Sequence, residues 1–318
     1  MREIMPAAST SRRDDAVGSC STSRHPFSML VLWINMASHT ERAAFMTKQL
    51  DVAHAHCQDV PWIRVTSKRF DAIAPRCFMA GMPCLLNGSR WSESQVRLLE
   101  PAKLSLHTAQ RTRAGTIGNF LSHLNAYATF AEMPLPAPSY LLVLEDDASF
   151  TADLFCLLPC LINNVQDVSL KTSGMPFHVM RLGCWGRFFE EDRIVSRVYR
   201  AAYHTTPNTN TTPPDQRVAY GGAHATIVQR DTVVELIDHL VASGIMPIDV
   251  ALRESPGPRQ HPASQVGHGR FSHAGKPNNT IGSRLRSYVQ KTDAVWVTWD
   301  DAHLPGWRPA HPAGIRTK

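Results

Sequence analysis

The chain has 318 residues, of which 43% are hydrophobic and 19% are charged. That composition is typical of a folded globular protein and excludes a chain that is disordered throughout. The formal charge of +6 favours anionic partners. The basic residues form no single stripe and no zinc-finger spacing occurs, so no nucleic-acid partner is expected. No apolar run reaches the ~18 residues of a membrane-spanning helix.

Three regions are predicted along the chain. Residues 1–27 are rich in Ser, Arg and Asp without periodicity and form a flexible leader, residues 28–290 form one large α/β domain, and residues 291–318 form a C-terminal extension. The start of the chain lacks the basic-then-apolar layout of a signal peptide, and the seven cysteines follow no regular framework. Reduced thiols and a cytoplasmic location are therefore expected, with peripheral contact at the inner membrane surface left open.

Short apolar strands alternate with amphipathic helices in the predicted order of elements. Strands are predicted at 29–34, 62–65, 140–144, 177–182 and 223–228, and helices from a capping box at 38–41 onward and at 116–132, 153–168 and 232–243. The alternation predicts a mainly parallel sheet flanked by helices, with ligands at the carboxyl ends of its strands. No Gly-rich dinucleotide fingerprint follows the first strand, which counts against a nicotinamide enzyme.

Three carboxylates end the strand at 140–144. Glu145, Asp146 and Asp147 follow an apolar run directly, and carboxylates in that position could hold a divalent cation that neutralises a nucleotide diphosphate. Glu145 and Asp147 are two residues apart, share one side of an extended chain and are the candidate metal ligands. Asp146 is a candidate catalytic residue. The alternative is that Asp146 or Asp147 only caps a turn and stays solvated.

Several short motifs occur in a fixed order along the chain. They are Asn35 with Glu41-Arg42, Gly115-Thr116-Ile117-Gly118, Ser122-His123, Leu144-Glu145-Asp146-Asp147, Tyr220-Gly221-Gly222 and Pro247-Ile248-Asp249. Each motif alone is common, but their order and spacing together resemble glycosyltransferase family 25, the lipooligosaccharide galactosyltransferase family. The resemblance covers roughly residues 30–285.

The resemblance implies a nucleotide-diphospho-sugar transferase (GT-A-like) fold for residues 28–290. It also implies a UDP-sugar donor, usually UDP-galactose, a Mn²⁺ or Mg²⁺ ion, and a glycan or glycolipid acceptor of the lipopolysaccharide type. The donor-binding residues would be Asn35, Arg42, Gly118, Ser122, His123 and Gly222. Other roles stay open for three of them: close helix packing for Gly118, a satisfied core histidine for His123, and a surface charge for Arg42.

Asp249 is the candidate catalytic base. An inverting transfer needs a group that deprotonates the attacking sugar hydroxyl, and a carboxylate near the acceptor can do this. Asp249 follows Pro247, which stiffens the approach, and it lies far in sequence from Glu145. The two carboxylates can therefore take separate roles. The alternative for Asp249 is the N-cap of the next helical segment.

The chain departs from the pattern of family 25 at three places. The family usually has an acidic residue at the position of Thr116, a small residue or Cys at Asn119, and Gly-Tyr where this chain has Ala223-His224. These departures leave open a catalytically inactive nucleotide-sugar-binding protein of the same fold. A metal-dependent hydrolase that uses the same carboxylates is a third alternative, but no further series of Asp and His ligands surrounds Glu145 in the sequence.

Overall fold

A computed structural model describes residues 26–74, 114–184, 192–195, 198–201, 222–243, 245–253, 285–290 and 294–297. These residues contain ten strands and five helices. The strands are β1 Phe27–Asn35, β2 Ile63–Asp71, β3 Tyr140–Glu145, β4 Ala148–Phe150, β5 Val179–Leu182, β6 Arg193–Val195, β7 Val198–Arg200, β8 Ala225–Gln229, β9 Ser287–Gln290 and β10 Val295–Val297. The helices are α1 Thr40–Cys57, α2 Ala114–Ala131, α3 Leu154–Ser173, α4 Val233–Ser243 and α5 Ile248–Ala251.

Eight strands form one mixed sheet in the order β2-β1-β3-β8-β5-β9-β7-β6. The α/β class is confirmed, but the prediction of a mainly parallel sheet is wrong, since four antiparallel pairings outnumber three parallel ones. An apolar run reveals that a strand is buried but not which way it runs. Because β8 runs opposite to β3, the start of β8 lies beside the carboxyl end of β3.

Helices cover both faces of this sheet. Alternate residues of β3 point to opposite sides, so Leu141 and Val143 pack with α2 and α4, whereas Leu142 and Leu144 pack with α1 and α3. The two sides are called the α2–α4 face and the α1–α3 face. An apolar cluster is buried on each face of the sheet, which explains why the central strands are nearly unbroken runs of apolar residues.

The apolar periodicity of the predicted helices is confirmed, but one predicted cap is wrong. Helix α1 buries Met46, Leu50 and Ala53, yet it begins after His39, which makes no side-chain capping hydrogen bond. The Ser38–Glu41 capping box is therefore absent. Packing of the apolar residues on the sheet forms this helix without it.

A disulfide joins the two helices of the α1–α3 face. Cys57, the last residue of α1, is bonded to Cys156 in α3, with the Cα atoms 5.7 Å apart. Cys160, one turn further along α3, is also disulfide-bonded. The expectation of reduced thiols is wrong for these three residues. The two cysteines are 99 residues apart in sequence, and they come together only because both helices pack on one face of the sheet.

The ends of the predicted domain are partly described. β10, in the predicted C-terminal extension, pairs antiparallel with β4. Residues 1–25 of the predicted leader, residues 298–318 of the extension, and Tyr220 and Gly221 of the glycine motif lie outside the described residues. Among the described helices, none combines the length and the hydropathy needed to cross a membrane.

Candidate active site

A cavity of about 300 Å³ opens at the carboxyl end of β3, on the α2–α4 face. It is lined by residues from four separate stretches of the chain: Gly115, Thr116 and Asn119 of α2; Glu145; Gly222, Ala223 and His224; and Pro247, Ile248 and Asp249. The volume lies at the lower end of the range of small-molecule sites. Four of the sequence motifs, spread from Gly115 to Asp249, therefore meet around one space.

Glu145 is held on both of its carboxylate oxygens. Oε1 accepts a hydrogen bond from Asn119 Nδ2 at 2.9 Å and lies 3.2 Å from His123 Nε2. Oε2 lies 2.9 Å from His224 Nδ1. Asn119 and His123 are one helical turn apart on α2, so the helix presents both side chains to the same oxygen.

His224 lies between the two candidate metal ligands. Its Nδ1 is also 3.5 Å from Asp147 Oδ1, and one ligand atom from each of Glu145, Asp147 and His224 lies within 4.8 Å of the others. Glu145 and Asp147 thus lie close together, but the extended chain that was predicted to bring them there ends at Glu145, and Asp147 lies in the turn that follows. Two carboxylates and an imidazole form a donor set that fits a divalent cation.

Hydrogen bonds shift the pKa values of Glu145 and His224 in opposite directions. Burial alone would raise the pKa of Glu145, but hydrogen bonds from His123 and His224 and the charge of His224 hold its pKa well below the ordinary value. Burial alone would lower the pKa of His224, but hydrogen bonds to Asp147 and Glu145 hold its pKa well above the ordinary value. Both pKa shifts favour the charged forms of Glu145 and His224.

His123 is buried behind Glu145 and does not line the cavity. Its ring is 0% exposed, and Nδ1 lies 3.2 Å from the hydroxyl of Tyr127, which lies 3.0 Å from Thr226 Oγ1. Burial raises the pKa of Tyr127, so its hydroxyl stays protonated. The Tyr127 hydroxyl can donate to Nδ1, which leaves Nε2 protonated to donate to Glu145.

Gly118 and Ser122 are also enclosed within the α2–α4 face. Ser122 Oγ donates to the backbone oxygen of Gly118 at 2.6 Å and accepts from the backbone nitrogen of Ile73 at 2.8 Å. Neither residue lines the cavity. The structure thus gives Gly118, Ser122 and His123 packing and hydrogen-bonding partners within the protein.

Asp146 points away from the cavity and is held by residues around the start of α1. Asn35 Nδ2 donates to Oδ2 at 2.7 Å, Arg42 donates to Oδ1 at 3.1 Å, and His39 Nδ1 lies 3.5 Å from Oδ2. We call these four residues the Asp146 clamp. Asn35, Arg42 and Asp146 were predicted at the donor site or in catalysis, and the structure brings them together, but none lines the cavity.

Asp249 lines the cavity with one carboxylate oxygen engaged. Oδ2 accepts from Arg253 at 3.2 Å and from the backbone nitrogen of Gly222 at 3.4 Å, and Oδ1 makes no hydrogen bond with the described residues. Gly222 has a φ of 87°, a backbone conformation that favours glycine. Asp249 lies inside α5, whose N-cap is Pro247. The alternative of an N-cap role for Asp249 is therefore wrong.

Three residues at the site were not identified from the sequence. Arg181 of β5 is 0% exposed and donates to the backbone oxygens of Gly222 and Asp249, each at 3.2 Å. The sequence feature that could have identified Arg181 is a charged residue within an otherwise apolar strand. Asn119 and His224 appeared only as departures from the family pattern, and both contact Glu145.

Comparison with solved structures finds loose likenesses, of which one is a xylosyltransferase. The apo form of mouse xyloside xylosyltransferase 1 matches with 11% sequence identity and a TM-score of 0.34, over 71% of this chain and 80% of that chain. No protein-family profile matches the chain, and no curated protein matches it. A superposition this loose carries no argument about activity. The resemblance to family 25 stays a prediction from the sequence.

Proposed function

We propose that the protein is a glycosyltransferase that moves a hexose, galactose in the first instance, from a UDP-sugar to a glycan or glycolipid acceptor. The observation that carries this proposal is the meeting of motifs in one cavity. The segments that contain Gly115, Glu145, Gly222 and Asp249 resemble family 25 in order, and all four line the same space. Motifs that matched the family pattern only by chance would not be expected to line one cavity.

The charges around the cavity support a nucleotide diphosphate bound with a cation. Glu145 and Asp249 both line the cavity, and two carboxylates would repel a diphosphate unless a cation stood between them. Glu145 and Asp147 would hold that cation, and the cation would neutralise the charge that develops on the departing UDP. The first turn of α2, at Gly115 and Thr116, adds the partial positive charge of a helix N-terminus.

Asp249 is the group suited to deprotonate the acceptor. In the proposed inverting reaction, the acceptor oxygen bonds to the anomeric carbon of the sugar while the bond from that carbon to the diphosphate oxygen breaks. The hydroxyl proton passes to Asp249 Oδ1, the oxygen without a hydrogen bond to the described residues. Arg253 and the Gly222 amide hold Oδ2 and orient the carboxylate.

A second candidate is a protein that binds a nucleotide sugar without turnover. Asn119 and His224 stand where the chain departs from family 25, and together they engage both oxygens of Glu145. Donors in these positions could leave Glu145 unable to act in transfer while the cavity still binds its ligand.

Calorimetric titration of UDP and UDP-galactose into the full chain, with and without Mn²⁺, tests the proposal. We expect Mn²⁺-dependent binding that Asp147→Ala weakens at least about tenfold, because a ligand of the cation is lost. Asp238→Ala, at an exposed position on α4, is the control and should bind normally. The absence of binding would overturn the proposal, and binding without transfer to lipopolysaccharide-type acceptors would favour the second candidate.

A further inference from the structure

We infer that Arg181 is a positioning residue for transfer: its guanidinium holds the backbone carbonyls of Gly222 and Asp249 together and thereby fixes Asp249 in place as the base. The inference rests on the role of Asp249 in the proposed function and adds a residue that acts through it. It is carried by two hydrogen bonds from one nitrogen of a fully buried arginine to two segments that line the cavity.

Arg181 lies inside β5 and points to the cavity side of the sheet. Val179, two residues before it, packs in the apolar cluster of the α2–α4 face, whereas Met180 and Leu182 pack on the α1–α3 face. The Arg181 side chain is 0% exposed and does not line the cavity. Removing a charged group from water is costly unless hydrogen bonds compensate for it, so these bonds stabilise Arg181 within an apolar strand.

One nitrogen of Arg181 joins two segments of the cavity wall. Nη1 donates to the carbonyl oxygen of Gly222 and to that of Asp249, each at 3.2 Å. The amide nitrogen of Gly222 in turn donates to Oδ2 of Asp249 at 3.4 Å. The three residues therefore form a closed set of contacts that holds both the backbone and the side chain of Asp249.

The helix that carries Asp249 is too short to fix it alone. α5 spans only Ile248–Ala251, and a helix of that length lacks most of the backbone hydrogen bonds that stabilise a longer one. Arg253 donates to the carbonyl oxygen and to Oδ2 of Asp249, each at 3.2 Å, but it lies four residues further along the same segment. Arg181 belongs to the sheet, so its bonds tie the backbone of Asp249 to β5.

The position of Asp249 matters because one oxygen has to reach the acceptor hydroxyl. Arg253 and the Gly222 amide hold Oδ2, and in the proposed reaction the proton passes to Oδ1. A displacement of about 1 Å at a reacting group can cost about 10²-fold in rate. Loss of Arg181 should therefore lower the rate of transfer and leave the binding of UDP near its normal affinity.

A double-mutant cycle in the full chain tests the inference. Arg181→Met should lower the single-turnover transfer rate about 10²-fold and keep UDP affinity within about threefold. In an Asp249→Asn background, the same substitution should change the remaining rate by less than about threefold, because residues that act as a unit are not additive. Equal losses in both backgrounds, or a loss of UDP affinity as large as the loss of rate, would overturn the inference.

Arg230→Met is the matched control. Arg230 also donates to two backbone carbonyl oxygens, those of Phe130 and Met133, but it directly follows β8, at the opposite end of that strand from His224. Its transfer rate should stay within about threefold of normal. Arg181→Lys keeps the charge without the planar guanidinium and should lose at least about tenfold in rate. It serves where Arg181→Met does not fold, and a normal rate in Arg181→Lys would contradict the inference.

Hydrogen exchange separates failure of this inference from failure of the proposed function. Arg181→Met should speed exchange of the α5 amides of Val250 and Ala251 at least about tenfold and leave exchange in α1 unchanged. Unchanged exchange in α5, or a normal transfer rate in this variant, would overturn the role of Arg181 and leave the transferase proposal intact. Faster exchange in α5 of a chain that binds no nucleotide sugar would support the hold of Arg181 on Asp249 and overturn the transferase.

Discussion

The two faces of the sheet place neighbouring carboxylates in different surroundings. On the α1–α3 face, Asp146 is enclosed by the clamp, and a disulfide joins the helices beside it. On the α2–α4 face, Glu145 lines a cavity and shares His224 with Asp147. Carboxylates adjacent in sequence are thus enclosed by partners on one face and line a cavity on the other. The face toward which each side chain points after the end of β3 decides its surroundings.

We therefore expect stability and ligand binding to depend on different members of one acidic triplet. Changes on the α1–α3 face should lower the free energy of unfolding and leave ligand affinity near its normal value. Changes around the cavity should lower ligand affinity and leave the free energy of unfolding near its normal value, because binding sites commonly hold groups that are not optimal for stability.

The largest expected effect is on the cavity side, from Asp249→Asn. The variant keeps the shape of the side chain but removes the proposed base, so the transfer rate should fall by about 10³-fold, or about 4 kcal/mol. UDP affinity should stay within a factor of about three of the unmodified protein. Single-turnover transfer assays measure the rate, and Asp238→Asn is the exposed control. A normal rate would show that another group takes the proton.

The disulfide of the α1–α3 face should contribute the next largest effect. Replacing both Cys57 and Cys156 with Ala removes a cross-link that closes a long loop, so the free energy of unfolding should fall by about 3 kcal/mol. Urea unfolding without reductant measures the loss, and UDP affinity should not change. An equally stable double variant would show that the two helices need no cross-link.

The same disulfide bears on where the protein resides. Cytosolic glutathione and thioredoxin keep most thiols reduced, so a Cys57–Cys156 disulfide argues against the cytoplasmic location predicted from the sequence. Mass spectrometry of protein alkylated at the moment of cell lysis distinguishes the two states. Free thiols at both positions would favour the predicted location.

The smallest of these effects is expected from the clamp. Asp146→Ala removes a charged acceptor that Asn35 and Arg42 share, so the free energy of unfolding should fall by about 2 kcal/mol. Chemical denaturation measures the loss against Asp238→Ala, and Mn²⁺-dependent UDP binding should persist in the folded variant. Loss of that binding at unchanged stability would place Asp146 at the donor site, as the sequence predicted.

Much of the fold could be predicted because burial leaves a local signal. The unbroken apolar runs of β1 and β3 mark central strands, and the apolar periodicity of α2 and α4 marks helices that pack on a sheet. Strands of three residues, such as β4 and β10, were missed because so short a segment has no periodicity to detect. The direction of β8 was missed because it depends on where the preceding chain approaches the sheet.

The sequence by itself determined the α/β class, the carboxylates that end β3, and the proximity of Glu145 and Asp147. These properties follow from residues close together in the chain: an apolar run marks the strand, and Asp147 lies in the turn that directly follows it. Only the tertiary structure decided that Asp146 belongs to a clamp, that Cys57 meets Cys156, and that His224 lies between the two carboxylates. Those contacts join segments about 80 to 110 residues apart, and no local pattern encodes which distant segments pack together.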